Sequence, residues 1–194
     1  VVTLVTMTIF RGLAYEWPNA QAIYGLPDSI NFLGQKYIGI IPIAVITVFL
    51  LYLISWFIFK HTKFGLYTYS IGGNVVASRL SGIKVKMIKC GIYTLSGVLC
   101  AIAGIIIAGR MNGTSGLVAS GYETDAIAAA AIGGISMAGG KGNIWGTLIG
   151  VLVMQCIRNG MNLLGVSSYL QMVVIGSVII IAVAMDCIRR LRQS

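Results

Sequence analysis

Apolar residues fall along this chain in long blocks and do not alternate with polar ones at the period of a soluble helix or strand. After a short apolar opening at 1–10, apolar stretches recur at 38–59, 88–108, 126–138, 144–164 and 168–185. The second and third stretches, of 22 and 21 residues, would each extend a little over 30 Å as a helix, matching a hydrocarbon core of about 30 Å. The stretch 144–164 is also long enough, although its second half is polar, and 168–185 spans narrowly. The stretch 126–138 has 13 residues, about 20 Å as a helix, and is expected to be a half-span or re-entrant helix. The opening stretch is too short to cross alone. The pattern predicts an all-α fold: a polytopic transmembrane helix bundle with one short or re-entrant helix, forming a single domain over 1–194.

Composition supports this picture. Hydrophobic residues make up 57% and charged residues 10% of the 194, against about 25% charged in soluble domains. Mean hydropathy is +0.90. Disorder requires the opposite balance, and four cysteines are too few for a disulfide scaffold. The chain opens at Val1 without a basic segment and A-x-A site, so no signal peptide is expected.

The net charge of +9 lies between apolar runs, so the positive-inside rule applies and no nucleic-acid partner is expected. With the 60–87 connection in the cytoplasm, Lys60, Lys63, Arg79, Lys84, Lys86, Lys89, Lys141, Arg189, Arg190 and Arg192 fall inside. Arg11, Lys36, Arg110 and Arg158 fall outside or near outer ends, as do Glu16, Asp28, Glu123 and Asp125. The C-terminus and Cys90 and Cys187 are then cytoplasmic. Trp17 and Tyr37 suit the outer interface, and Trp56 and Tyr67 the inner one. Segments 16–36 and 110–125, rich in Gly, Pro, Asn and Ser, read as external loops. Thr124 is expected to cap the following helix, with Asp125 in its first turn.

Small residues let transmembrane backbones approach. Gly97, Ala101, Gly104 and Ala108 on one span, and Gly146 and Gly150 on another, predict a tightly packed bundle. Gly139-Gly140-Lys141-Gly142 fails as a phosphate loop: Ile135 and Gly142 stand where a Walker A needs Gly and Ser or Thr, and Trp145 stands where a dinucleotide fingerprint needs Gly. His61, the only histidine, reads as an interfacial residue. The cysteines read as small apolar residues. No catalytic residue, metal site or cofactor is expected.

Two features carry candidate function. Gln155, Arg158, Asn159 and Asn162 fall at i, i+3, i+4 and i+7, one face of a helix. They fit a translocation path for a polar, uncharged solute, or else interhelical hydrogen bonds or an early exit from the membrane. The second feature is the stretch 72–83. Asn74 suits an N-cap and Gly82 a left-handed stop, with a two-turn helix between them. Val76, Leu80 and Ile83 would form an apolar side, suited to a cytosolic partner or to the lipid surface.

Four blocks resemble the membrane permease of bacterial ABC importers of the ribose/xylose/galactoside class: TLVTMTIFRGLAY (3–15), FGLYTYSIGGNVVASRLSGIKV (64–85), SGYETDAIAAAAIGGISMAGGKGNIWGTLIG (120–150) and NGMNLLGVSSYLQMVVIGSVIIIAVAMD (159–186). The resemblance covers roughly the C-terminal three-fifths of such a permease, so the family's N-terminal spans are expected to be absent from this stretch. It implies a multi-pass protein of the bacterial cytoplasmic membrane, a second permease protomer, cytosolic ATP-binding subunits and an extracytoplasmic sugar-binding protein. It implies that 60–87 is a coupling loop, with Val76, Ala77, Arg79, Leu80 and Gly82 contacting the ATPase. Ala77 and Gly82 match the coupling motif E-A-A-x-x-x-G, while Val76 replaces its acid and Ser78 an alanine. Gln155, Asn159 and Asn162 are the candidate path residues. Permeases for branched-chain amino acids or nucleosides share the architecture. A self-contained channel or ion-coupled carrier is a further alternative, against which stand the lack of a charged ring and of a mid-membrane acid.

Overall fold

The computed structural model describes residues 2–19 and 21–191, with side-chain environments as far as 184. The placements inferred for Cys187, Arg189, Arg190 and Arg192 lie outside those described environments. Among the described residues, helices dominate: α1 (Val2–Glu16), α2 (Asp28–Gln35), α3 (Ile43–His61), α4 (Lys63–Gly73), α5 (Val75–Leu80), α6 (Val85–Met111), α7 (Tyr122–Ile132), α8 (Ile144–Leu163) and α9 (Ser168–Leu191). Four two-residue strands interrupt them: β1 (Ile23–Tyr24), β2 (Tyr37–Ile38), β3 (Ile41–Pro42) and β4 (Gly113–Thr114). The fold is all-α, as the apolar blocks predicted.

Among the described residues two helices, α3 and α6, are long and apolar enough to cross a membrane, and their most apolar windows are unburied within the chain. The 20 residues of α8 are not matched by sufficient hydropathy, because Gln155, Arg158, Asn159 and Asn162 occupy its second half. In its last turns α3 gathers Trp56, Lys60 and His61. The Lys60 ammonium sits 5.0 Å from the Trp56 ring centre, and His61 lies edge-on to Trp56 at 5.2 Å. Such a girdle suits the end of a span.

The chain forms two compact units. The first comprises 1–54 and 90–120. There β1 pairs antiparallel with β4, with Ile23 opposite Thr114, and β2 with β3. The segment 16–36, expected to be a loop, contains α2. Pro27 presets the backbone ahead of it, and Asp28 complements the dipole of its first turn. Helices α2 and α6 approach so closely that a Cβ on Gly34 would collide with the Gly109–Arg110 backbone and one on Gly109 with the Ile30 carbonyl. The Asn31 amide donates to Asn112 Oδ1 at 2.9 Å.

The second unit comprises 55–89 and 121–194. Its core is Ala128, Ala129, Met154, Met161 and Ile175, from α7, α8 and α9. Helix α7 is shorter than the stretch 126–138 and begins earlier. Gly121 at φ +86° stands at its N-cap position, and no side chain caps it. Thr124 therefore lies inside the first turn and is not the cap. One side of the short helix is buried, with Ala128 0% and Ala129 3% exposed, while Tyr122 and Ile127 are exposed. Gly150 packs on α7, where a Cβ would reach Gly133 N at 2.8 Å and come closer still to Ala129 O. The Gly146/Gly150 pair thus serves as a helix contact. Gly97 and Gly104 do not, since a Cβ at either meets nothing within 4 Å. A surface facing lipid has no water-driven reason to pack within its own chain.

Candidate functional site

Helix α5 stands where local chemistry places it. The Asn74 side chain accepts from Val76 N and Ala77 N, both at 3.0 Å. Its own N–H donates to Ser70 O at 3.0 Å, so one residue closes α4 and opens α5. At the other end Gly82 takes φ +79°. Gly82 N donates to Arg79 O at 3.0 Å and Ile83 N to Ser78 O at 3.1 Å, which is the bonding of a Schellman cap. The stretch 60–87 is accordingly built from α4, α5 and the start of α6.

The sequence pattern is corrected at one point. Helix α5 stops at Leu80, so Ile83 lies beyond the left-handed glycine and leaves the helix face. Val76 and Leu80 remain, 69% and 85% exposed. Arg79 is exposed beside them. Ser78 turns inward, 5% exposed, and its hydroxyl donates to Asn74 O at 2.8 Å. Behind α5 lies a cleft of about 690 Å³, bounded by Leu66 and Ser70 of α4, Ala77 of α5, Met87 of α6 and Ile83 of the link between α5 and α6.

The polar stripe on α8 divides. Arg158 reaches the Asp125 carboxylate of α7, with Nη2 at 2.7 Å from Oδ2 and 2.9 Å from Oδ1. Its guanidinium also lies 5.7 Å from the Tyr122 ring centre. Asn162 accepts from the Gln171 amide of α9 at 2.8 Å, and the same amide donates to Val166 O at 2.9 Å. Arg158 thus joins α8 to α7, and Asn162 joins α8 to α9. Gln155 and Asn159 are exposed, and Gln155 borders a cavity of about 170 Å³ with Asp125, Ala129, Met154 and Arg158. The stripe pattern did not reveal Asp125, Tyr122 and Gln171 as partners. The usable signal was that Arg158 is a cation set within an apolar helix, where an unpaired charge is costly.

Among the described residues, no three His, Cys, Asp or Glu gather where a metal ion could sit.

The family described as branched-chain amino acid transport system / permease component matches residues 1–183. The ribose import permease protein of Bacillus subtilis is 47% identical over 188 residues, covering 96% of this chain and 58% of that protein. The D-allose transport system permease protein of Escherichia coli is 41% identical over 187 residues, covering 96% of this chain and 57% of that protein. The galactose/methyl galactoside import permease protein of Salmonella typhimurium is 34% identical over 200 residues, covering 100% and 60%. The chain therefore spans somewhat under three-fifths to three-fifths of the length of these relatives. No solved structure matches it.

Proposed function

This chain belongs to the branched-chain amino acid transport system / permease component family, and from that premise we propose that it is the membrane-embedded permease part of an ATP-driven importer for a sugar. The observation that carries the proposal is the 47% identity to a ribose import permease over 96% of the chain. The family description itself names branched-chain amino acids, which makes that substrate class the second reading. The ribose, allose and galactoside names of the relatives at 34–47% identity favour a sugar.

In this reading the chain hydrolyses no ATP. It sits in the bacterial cytoplasmic membrane with its C-terminus inside, beside a second permease protomer. A binding protein delivers the sugar on the outer side, where 16–36 and 110–125 lie. On the inner side, α5 docks on an ATP-binding subunit. Val76 and Leu80 supply exposed apolar contact, Ala77 keeps the helix surface low, Arg79 meets an acid, and Gly82 ends the helix and turns the chain toward α6. Support for this role is the doubly capped, outward-facing helix itself. Gln155 and Asn159 contact the solute along the path, since neither is engaged in an interhelical bond. Asn162 takes part through its bond to Gln171.

The test is uptake of labelled ribose by proteoliposomes holding the full-length permease, its ATP-binding subunits and the sugar-binding protein. ATP-dependent uptake competed by allose or a galactoside, but not by leucine, is expected. Competition by leucine alone would transfer the assignment to branched-chain amino acids. Uptake without the ATP-binding subunits would point to a self-contained carrier.

A further inference from the structure

The motif 139–142 has no role as a nucleotide loop, yet its backbone lies directly against the residue pair that precedes α5. A Cβ on Gly72 would lie 2.5 Å from Gly140 N. One on Gly139 would lie 2.7 Å from Gly72 O, and one on Gly140 would lie 2.7 Å from Gly73 Cα. Gly139 and Gly140 also take φ of +90° and +76°, so both sterics and backbone require glycine there. One turn earlier on α4, the Tyr69 hydroxyl donates to Gly142 O at 3.3 Å. Four residues in two pairs thus form a clasp of bare backbone.

The clasp lies between two rigid pieces. On one side, Asn74 closes α4 and opens α5, so α5 follows Gly72 and Gly73. On the other, Ser136 N donates to Lys141 O and Gly139 N to Ser136 O, both at 3.0 Å. That closed turn runs into Asn143, whose side chain accepts from Trp145 N at 3.1 Å and caps α8. Gly133, at the end of α7, touches Gly146 of α8, where a Cβ would be 2.5 Å from Gly146 O. Side-chain layers can absorb a displacement by changing rotamer, whereas backbone against backbone has no such slack.

We propose that the clasp of Gly72 and Gly73 with Gly139 and Gly140 is the mechanical link that carries movement of α5 into the α7–α8 pair. Gly72, Gly139 and Gly140, where a Cβ would collide, are the positioning residues, while Gly73 contributes only its backbone atoms to the contact; the inference rests on the reading of α5 as the ATPase contact.

The glycines supply their own controls. Gly72→Ala adds a collision on ordinary helical backbone, while Gly73→Ala adds a Cβ that meets nothing within 4 Å. Gly140→Ala adds collision and left-handed strain. Gly134→Ala, at φ +82° with nothing within 4 Å, adds the strain alone. The readout is sugar transported per ATP hydrolysed in proteoliposomes, with the ATP-binding subunit still bound. Gly72→Ala and Gly140→Ala should lower that ratio roughly two- to thirtyfold. Gly73→Ala should leave it at the wild-type value, and Gly134→Ala should lower it less than Gly140→Ala.

A wild-type ratio in Gly72→Ala, or an equal loss in Gly73→Ala, overturns the proposal. If the alanine variants do not accumulate, Tyr69→Phe decides: it removes one hydrogen bond and keeps the ring. A lowered ratio at normal membrane level supports the link, and an unchanged ratio overturns it. A wild-type permease without ATP-dependent uptake overturns the underlying reading, whereas an active wild type with an unaffected Gly72→Ala overturns the link alone.

Discussion

Replacing Gly82 separates backbone strain from crowding at the end of α5. Gly82 sits at φ +79°, and a Cβ built there meets nothing within 4 Å. The only cost of a side chain is therefore conformational, about 1–2 kcal/mol for an L residue in the left-handed region. That penalty corresponds to a factor of about 5–30 in the ratio of closed to open cap. The chain can instead open the cap, giving up the Gly82–Arg79 and Ile83–Ser78 bonds, worth about 0.5–1.5 kcal/mol each. The two routes cost similar amounts, so the last turn of α5 should be open in much of the population. If α5 is the ATPase contact, affinity falls with the closed fraction, about twofold where the two routes balance and up to about sixfold where strain exceeds the bonds by about 1 kcal/mol, since only the closed form binds. Titrating purified full-length permease with its ATP-binding subunit measures this directly. Gly82→Asn should bind within about twofold of wild type, because Asn tolerates the left-handed region. Gly82→Ala should bind roughly two- to sixfold more weakly. Gly82→Val, being β-branched, should fall further and abolish uptake while the protein remains in the membrane. Wild-type affinity in Gly82→Val would refute the reasoning. Equal losses in the Asn and Val variants would show that φ is not the controlling quantity.

Ala129→Leu forces a larger side chain into a site 3% exposed and should cost about 1–3 kcal/mol by overpacking, read as a lower thermal midpoint in detergent. Arg158→Leu leaves Asp125 without its partner. Because both side chains are about a quarter exposed (28% and 23%), the cost should be about 1–3 kcal/mol, and a second change, Asp125→Asn, should recover part of it; no recovery would mean that the ion pair does not join α7 to α8. Arg79→Glu should weaken association with the ATP-binding subunit without altering membrane level, checked by copurification. Single cysteines at Asn19 and Ser115, in a background without other cysteines, should react with an impermeant thiol reagent on intact cells; labelling of neither would reverse the proposed orientation.

What was legible in the sequence was local. The apolar blocks forecast α3 and α6 because twenty or so apolar residues in succession suit a lipid core whatever their neighbours. The caps of α5 were readable for the same reason: Asn74 bonds to N–H groups two and three residues on, and Gly82 answers a backbone demand within one turn. The exact end of α5 was less legible, and Ile83 was assigned to a face it leaves after the cap. What only the tertiary structure decided lies between residues distant in the chain. It paired Arg158 with Asp125, 33 residues away, and Asn162 with Gln171, dividing a stripe that looked continuous on one helix. It chose Gly146 and Gly150 over Gly97 and Gly104 as contact points, although both spans carry small residues four apart, Gly97 and Ala101 on one and Gly146 and Gly150 on the other. It also set Gly72 against Gly140. Hydropathy and capping act over a few residues and leave a mark in the sequence. Close approach of two backbones depends on where both segments end up, and a glycine looks the same in the sequence whether or not another backbone lies against it.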